Sequence, residues 1–495
     1  MPSVSSRPQT PAAEPPEESL VASRTAGPAA VRGSVLRGAG YAATILLSLV
    51  SAPLLIRHLG IAAFGRYTAV ISIVTIIGGL TDAGLLNIAL REWVTRRGSD
   101  RAELARSLLG IRLELSAAGV ALGVWFAALA GYDRVLVIGT LIAGVGMVLQ
   151  AVAHLLSVPL QADLRFGWTS AIDVARQLVS VLLIVGLVLI GATLLPFFAV
   201  TVPAGLVMLV VAAVLVHRSM PLTPRFRGMA WWPLVRDTLP YAAAVAINTV
   251  YFRVTIVVMS LIAAAQQTGY FATSFRVTEV LVGIPAFAVG AAFPILSHAA
   301  AADRPRFAQA SERIFELALI AGTAMALLVV LSAPFVIDVL AGAHGAPATP
   351  VLQIQGLALV ATFLAAAAAY PLLSLRRHTA LMVANGAALA MNAVLTLVLV
   401  PLDQAKGAAI AAVLAETCLA VGQVVLLVRS GETRLPFGSV PGVALAGAAG
   451  AAPLLLDIHP VLRTLLGAAI FLSLITVFGM LPPELRHLVR TRRST

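Results

Sequence analysis

The chain has 495 residues, 59% of them hydrophobic and 11% charged, with a mean hydropathy of +0.96. Soluble domains carry roughly a quarter charged residues, and so little charge cannot cover a soluble surface. The net charge of +12 does not point to nucleic acid, because the basic residues sit scattered in short gaps, without a stripe or an interleaved aromatic platform.

In chain order, residues 1–33 are rich in Pro, Ala and Ser, carry Glu14, Glu17 and Glu18, and read as a disordered tail. The first apolar run, Val35 to Ile56, is too long for the core of a cleaved signal peptide and stands as a first span. Thirteen more follow at about 65–89, 111–130, 135–160, 169–190, 195–217, 240–263, 269–298, 314–336, 350–374, 380–400, 406–428, 438–456 and 462–481. Each approaches the ~20 residues that cross ~30 Å of hydrocarbon. Helix is the reading, since barrel strands would be shorter and strictly alternating. The expected fold is therefore an all-α polytopic membrane protein of about fourteen transmembrane helices. It divides into an N-lobe over 34–217, a cytoplasmic linker over 218–239, a C-lobe over 240–428, two extra C-terminal helices within 429–482, and a basic tail over 483–495.

Arginine is distributed unevenly. Arg91, Arg96, Arg97, Arg101 and Arg106 follow the second span, Arg218, Arg225, Arg227 and Arg236 the sixth, and Arg486, Arg490, Arg492 and Arg493 the last. The intervening gaps hold few. The positive-inside rule then puts both termini in the cytoplasm of a multi-pass plasma-membrane protein. The segments Gly65-Arg66-Tyr67-Thr68-Ala69 and Gly269-Tyr270-Phe271-Ala272 open corresponding spans of the two lobes. This fits a parallel repeat of the kind transporters use; chance likeness between Ala- and Gly-rich helices is the alternative.

Enzyme chemistry finds little support. There is no phosphate-binding G-x-x-x-x-G-K-[ST], Lys406 being the only lysine, and no D-x-D pair. One cysteine, Cys418, allows neither a disulfide nor a thiolate metal site. No cofactor is implied, and the histidines lack metal-ligand spacing.

Ionisable residues inside spans cost ~2.5 kcal/mol or more on insertion scales, so they face a cavity or a partner. Arg253 lies ~20 Å from the start of its span at Pro240, and Arg276 ~10 Å from the outer end of the next. Arg57 and Arg66 stand at the outer ends of the first two spans. Convergence of all four guanidinium groups on one outward-leaning cavity would suit a diphosphate, which guanidinium forks bind bidentately. The plainer readings are that Glu279 merely neutralises Arg276 one turn away and that Arg57 and Arg66 snorkel to the interface. Asp82 is a candidate for coupling or gating: it could carry protons or pair with a basic residue, or it is the N-cap of a helix restarted after Gly78–Gly79. Glu279 and Glu416 are further candidates for coupling or gating. Asp173 and Arg176 read as a local pair.

A resemblance rests on Leu59-Gly60-Ile61-Ala62-Ala63-Phe64-Gly65-Arg66-Tyr67, Thr81-Asp82-Ala83-Gly84-Leu85, Ala89-Leu90-Arg91-Glu92, Gly269 through Val277, and Phe293-Pro294-Ile295-Leu296-Ser297. These resemble the second- and eighth-helix signatures of polysaccharide-export flippases of the Wzx type, in the multidrug/oligosaccharidyl-lipid/polysaccharide (MOP) exporter superfamily. The resemblance implies two six-helix lobes around a central cavity worked by alternating access. It implies an anionic polyprenyl-diphosphate-linked glycan as cargo, membrane lipids as surroundings, and glycan polymerases, ligases or glycosyltransferases as partners. Outward movement of the anionic headgroup is favoured by an inside-negative potential, by ~2.3 kcal/mol per charge per 100 mV. No acid lies in the first span, where drug-exporting members rely on one. The alternatives are a lipid II flippase, a cation-coupled multidrug exporter, and a non-transporting scaffold for glycan enzymes.

Overall fold

A computed structural model of the chain describes residues 26–82, 84–226, 232–290, 292–433 and 435–480. The first 25 residues of the expected N-terminal tail, residues 227–231 of the linker and the whole basic tail over 483–495 lie outside the described residues.

The described residues form helices and no strands. The first half comprises α1 (Ala26–Leu59), α2 (Ile61–Asp82), α3 (Leu85–Thr95), α4 (Gly98–Leu129), α5 (Arg134–Leu156), α6 (Val158–Ala162), α7 (Phe166–Leu189), α8 (Leu194–Ala199) and α9 (Thr201–Val216). The second comprises α10 (Trp232–Ile262), α11 (Ala265–Gly290), α12 (Phe293–Ala302), α13 (Arg304–Ala341), α14 (Ala348–Ser374) and α15 (His378–Arg429). Two more helices follow, α16 (Ser439–Ala451) and α17 (Pro460–Val477). Twelve helical stretches are long and apolar enough to cross a membrane, and the shorter apolar Ser439–Leu455 adds to them.

One of the twelve, α15, contains two spans. As a straight helix its 52 residues would run ~78 Å, well beyond ~30 Å of hydrocarbon. Non-helical angles at Asp403 and Gln404 reverse the chain, and Gly407 comes against the carbonyl of Leu399. The described residues thus make fourteen passes, as expected.

Several helices outrun their apolar segments. The third pass starts at Gly98 rather than near 111, and the ninth covers Arg304–Ala341 rather than 314–336. Their charged first turns still hydrogen-bond as helix and find partners. Arg225 of the linker donates to Glu103 at 2.6 Å, and its N–H reaches the Arg106 carbonyl at 2.9 Å. The second pass also breaks at a different place. The helix continues through Gly78–Gly79, ends at Asp82, and restarts after Gly84 at φ +70°, a left-handed conformation that favours glycine. The N-cap reading of Asp82 is therefore overturned: it closes a helix.

Within the first half α1 packs along α7, and α5 along α4 and α9. In the second, α14 lies between α13 and α15, with α10 and α11 against them. The α16–α17 pair packs on α13. The halves meet chiefly where α2 lies against α10 and α11. The contact is closest at Gly65 and Gly269, the glycines that open the two similar segments. A Cβ on Gly65 would fall 2.5 Å from the Gly269 nitrogen, and one on Gly269 would fall 2.0 Å from the Ile61 carbonyl oxygen. Small residues allow such backbone approach between membrane helices. A hydrophobic cluster with Ile56 and Phe64 from one half and Ile256 and Phe271 from the other surrounds the crossing.

Polar contacts ring the same end. The Arg57 Nη2 donates to the Asp338 carbonyl at 2.8 Å, and Arg66 pairs with Asp133. The Tyr132 hydroxyl pairs with Ser260 across the halves; burial pushes its phenol pKa up, a shift the Ser260 contact opposes. This is the sealed end of the molecule.

Candidate functional site

Beneath the sealed end lies a cavity of about 600 Å³ between the halves. Its walls come from α1, α2, α4, α5, α7 and α9 on one side and α10 and α11 on the other. Four arginines, two carboxylates and His154 line it. Counting His154 as neutral, the lining carries an excess of two positive charges among the described residues.

The first level of charge is held by the second half. Arg253 (α10) and Arg276 (α11) both pair with Glu279 of α11, Arg276 at 2.9 Å. Arg253 also lies over the Phe275 ring, 5.6 Å from its centroid. Arg276 donates to the Ser48 hydroxyl of α1, so this network ties the two halves together. Tyr67 lines the cavity too and stacks on Phe64 and Phe198. Arg276 lies eleven residues from the start of α11 and Arg253 nine from the end of α10, which is ~16 and ~14 Å at 1.5 Å per residue. These depths are near mid-membrane, deeper than the outward-leaning position expected for Arg276, because α11 begins at Ala265 rather than at 269.

The second level belongs to the first half. Arg112 Nη1 (α4) reaches Asp82 Oδ1 at 2.8 Å and donates to the Thr81 carbonyl at 3.1 Å. Arg112 is buried, and among the described residues its Nε has no partner. His154 (α5) and Arg176 (α7) line the same region with Gln150 and Gln177. Gly79 abuts Thr249. Arg253 lies four residues beyond Thr249 toward the sealed end, and Asp82 three beyond Gly79 away from it. The two levels are therefore ~10 Å apart along the helix axes.

Of the sequence candidates, Arg253, Arg276, Glu279 and Asp82 come together around this cavity. Arg57 and Arg66 do not line it. Their guanidinium groups are engaged at helix ends, by a carbonyl and by Asp133, so the expected convergence of four arginines is corrected to two from that set. Glu416 is buried inside the second half, where Thr362 donates to it at 3.4 Å. It borders a separate cavity of about 60 Å³ with Tyr251, Gln355 and Asn392. Arg112 and His154 were missed. Each lies near one end of an apolar run, where charge passes for interfacial. Arg176, beside Asp173, also lines the cavity.

The fold and the cavity define a polytopic helical protein built from two halves. It resembles the lipid II flippase MurJ in an inward-closed conformation, at 14% identity and TM-score 0.74, over 90% of this chain and 98% of that one. An inward-facing multidrug resistance MATE family transporter of the MOP superfamily matches at 14% identity and TM-score 0.66, over 78% of this chain and 94% of that one. A MOP superfamily transporter from Pyrococcus furiosus, described as having a binding pocket of reversed polarity, matches at 14% identity and TM-score 0.58, over 81% and 95%. No curated protein matches in sequence. The family model described as polysaccharide biosynthesis protein matches residues 30–300. The chain belongs to that family, and its fold is that of the MOP superfamily.

Proposed function

We propose that this protein is a flippase. It carries a polyprenyl-diphosphate-linked oligosaccharide, or a related glycolipid, from the cytoplasmic to the outer leaflet by alternating access, for cell-surface polysaccharide assembly. The observation that carries this reading is the positively charged cavity between the halves, at mid-membrane depth. Uncompensated charge there is costly, and a diphosphate offers the guanidinium groups a matching partner. A cavity of about 600 Å³ falls within the ~300–1,000 Å³ of small-molecule sites. It suits a headgroup and its first sugars, with the polyprenyl tail left in the lipid. The arginine asymmetry puts the termini and the linker in the cytoplasm, and the sealed end then faces outward. Family membership supports a glycan cargo.

Depletion of the protein should make polyprenyl-diphosphate glycans accumulate on the cytoplasmic face, measured by extraction and by access of a membrane-impermeant lectin. Unchanged amounts and sidedness of these intermediates would sink the reading.

A second reading, lipid II transport, draws on one observation: the likeness to the lipid II flippase extends over 90% of this chain, against 78% for the inward-facing multidrug resistance transporter. Viable deletion with normal peptidoglycan would remove it.

A further inference from the structure

Two arginines converge on one carboxylate at the middle of the cavity. Arg253 and Arg276 come from different helices, and both pair with Glu279. Glu279 belongs to α11 and keeps about a quarter of its side chain exposed to the cavity. Planar guanidinium forks satisfied by carboxylate oxygens are presented in the geometry that suits phosphate oxygens. The arginines also have anchors besides Glu279: the Phe275 ring under Arg253 and the Ser48 hydroxyl beside Arg276.

We infer that Glu279 is an internal counter-anion, which the cargo's phosphate groups displace, and that it sets the charge a cargo must carry. The inference rests on the flippase reading above. A sugar joined to a polyprenyl chain through a single phosphate is a phosphodiester with one negative charge. Joined through a diphosphate, it carries two. A singly charged headgroup that ousts Glu279 replaces one anion with an equal one and leaves a carboxylate without its partners, which is unfavourable in a partly desolvated site. A doubly charged headgroup engages both guanidinium groups and gains charge over the carboxylate it replaces. Glu279 therefore sets a threshold that a diphosphate-linked carrier exceeds and a monophosphate-linked carrier does not. It acts through the two arginines as a specificity-determining residue and makes no contact with the cargo.

The test uses the full chain in lipid nanodiscs and two probes with the same hexose, one polyprenyl-diphosphate-linked and one polyprenyl-monophosphate-linked. Wild type should bind the diphosphate probe more tightly. Glu279→Gln should tighten both probes by about tenfold, the worth of one charge-assisted hydrogen bond, which brings the monophosphate probe up toward the affinity that wild type keeps for the diphosphate. Glu279→Asp keeps the charge and should keep the wild-type affinities, which separates charge from folding. Unchanged affinities in Glu279→Gln, or weakening of both probes, overturn the role of Glu279 while leaving the flippase reading intact. Failure of wild type to bind either probe overturns both.

Discussion

Arg253 and Arg276 are anchored by aromatic, hydroxyl and carboxylate groups from two helices, α1 and α11, whereas Arg57 and Arg66 serve the sealed end. Their replacement should separate accordingly. Arg253→Ala combined with Arg276→Ala should abolish flipping in a reconstituted vesicle assay while the protein still inserts. Arg66→Ala breaks a pair whose side chains are 34% and 54% exposed, so it should cost no more than ~1 kcal/mol in unfolding measurements. Arg112 presents a different case. It is 6% exposed and bonded to Asp82, and Arg112→Ala leaves that carboxylate facing the cavity without its partner. A loss of roughly 1–3 kcal/mol is expected, most of it recovered in Asp82→Ala/Arg112→Ala; a double variant as unstable as the single would argue against the pair. The contrast also explains what could be read from the chain. A lone arginine inside an apolar run is conspicuous, because hydrocarbon tolerates so few charges. Arg112 and His154 were hidden near run ends, and the sharing of Glu279 between Arg253 and Arg276 is a tertiary fact that spacing cannot supply.

At the scale of elements, the crossing of α2 and α11 is held by Gly65 and Gly269, with no room for a side chain on either. Gly269→Val should wedge the halves apart at the sealed end. Labelling of a cysteine introduced at Thr68, which lines the cavity, should then rise severalfold for a reagent added from that side, in a background with Cys418 replaced. Labelling as slow as in the glycine parent would show that the crossing is no barrier. The spans themselves were legible because each pass needs about twenty apolar residues, and even the short, Ala-rich Ser439–Leu455 stood out. Their ends were not, since a helix stops where backbone hydrogen bonding stops rather than where hydrophobicity does. The extension of the third pass back to Gly98 brings charged turns into contact with Arg225, a pairing with no trace in hydropathy.

For the whole molecule, every described residue lining the large cavity falls between Ser51 and Glu279, although the fold continues for some two hundred residues. Truncation after residue 436, which removes α16 and α17, should therefore leave binding of a diphosphate lipid within about twofold of the full chain; a greater loss would show that these helices shape the cavity from a distance. Their place in the fold has a mechanical consequence. They pack on α13, so they travel with the second half and widen it to eight passes against six. When two rigid bodies pivot about a common seam in a viscous sheet, each sweeps an arc in inverse measure to the drag it feels. On the flippase reading, the slimmer half, carrying Arg112 and His154, is then the one that swings, and the broader half, holding Arg253, Arg276 and Glu279, is the keel it swings against.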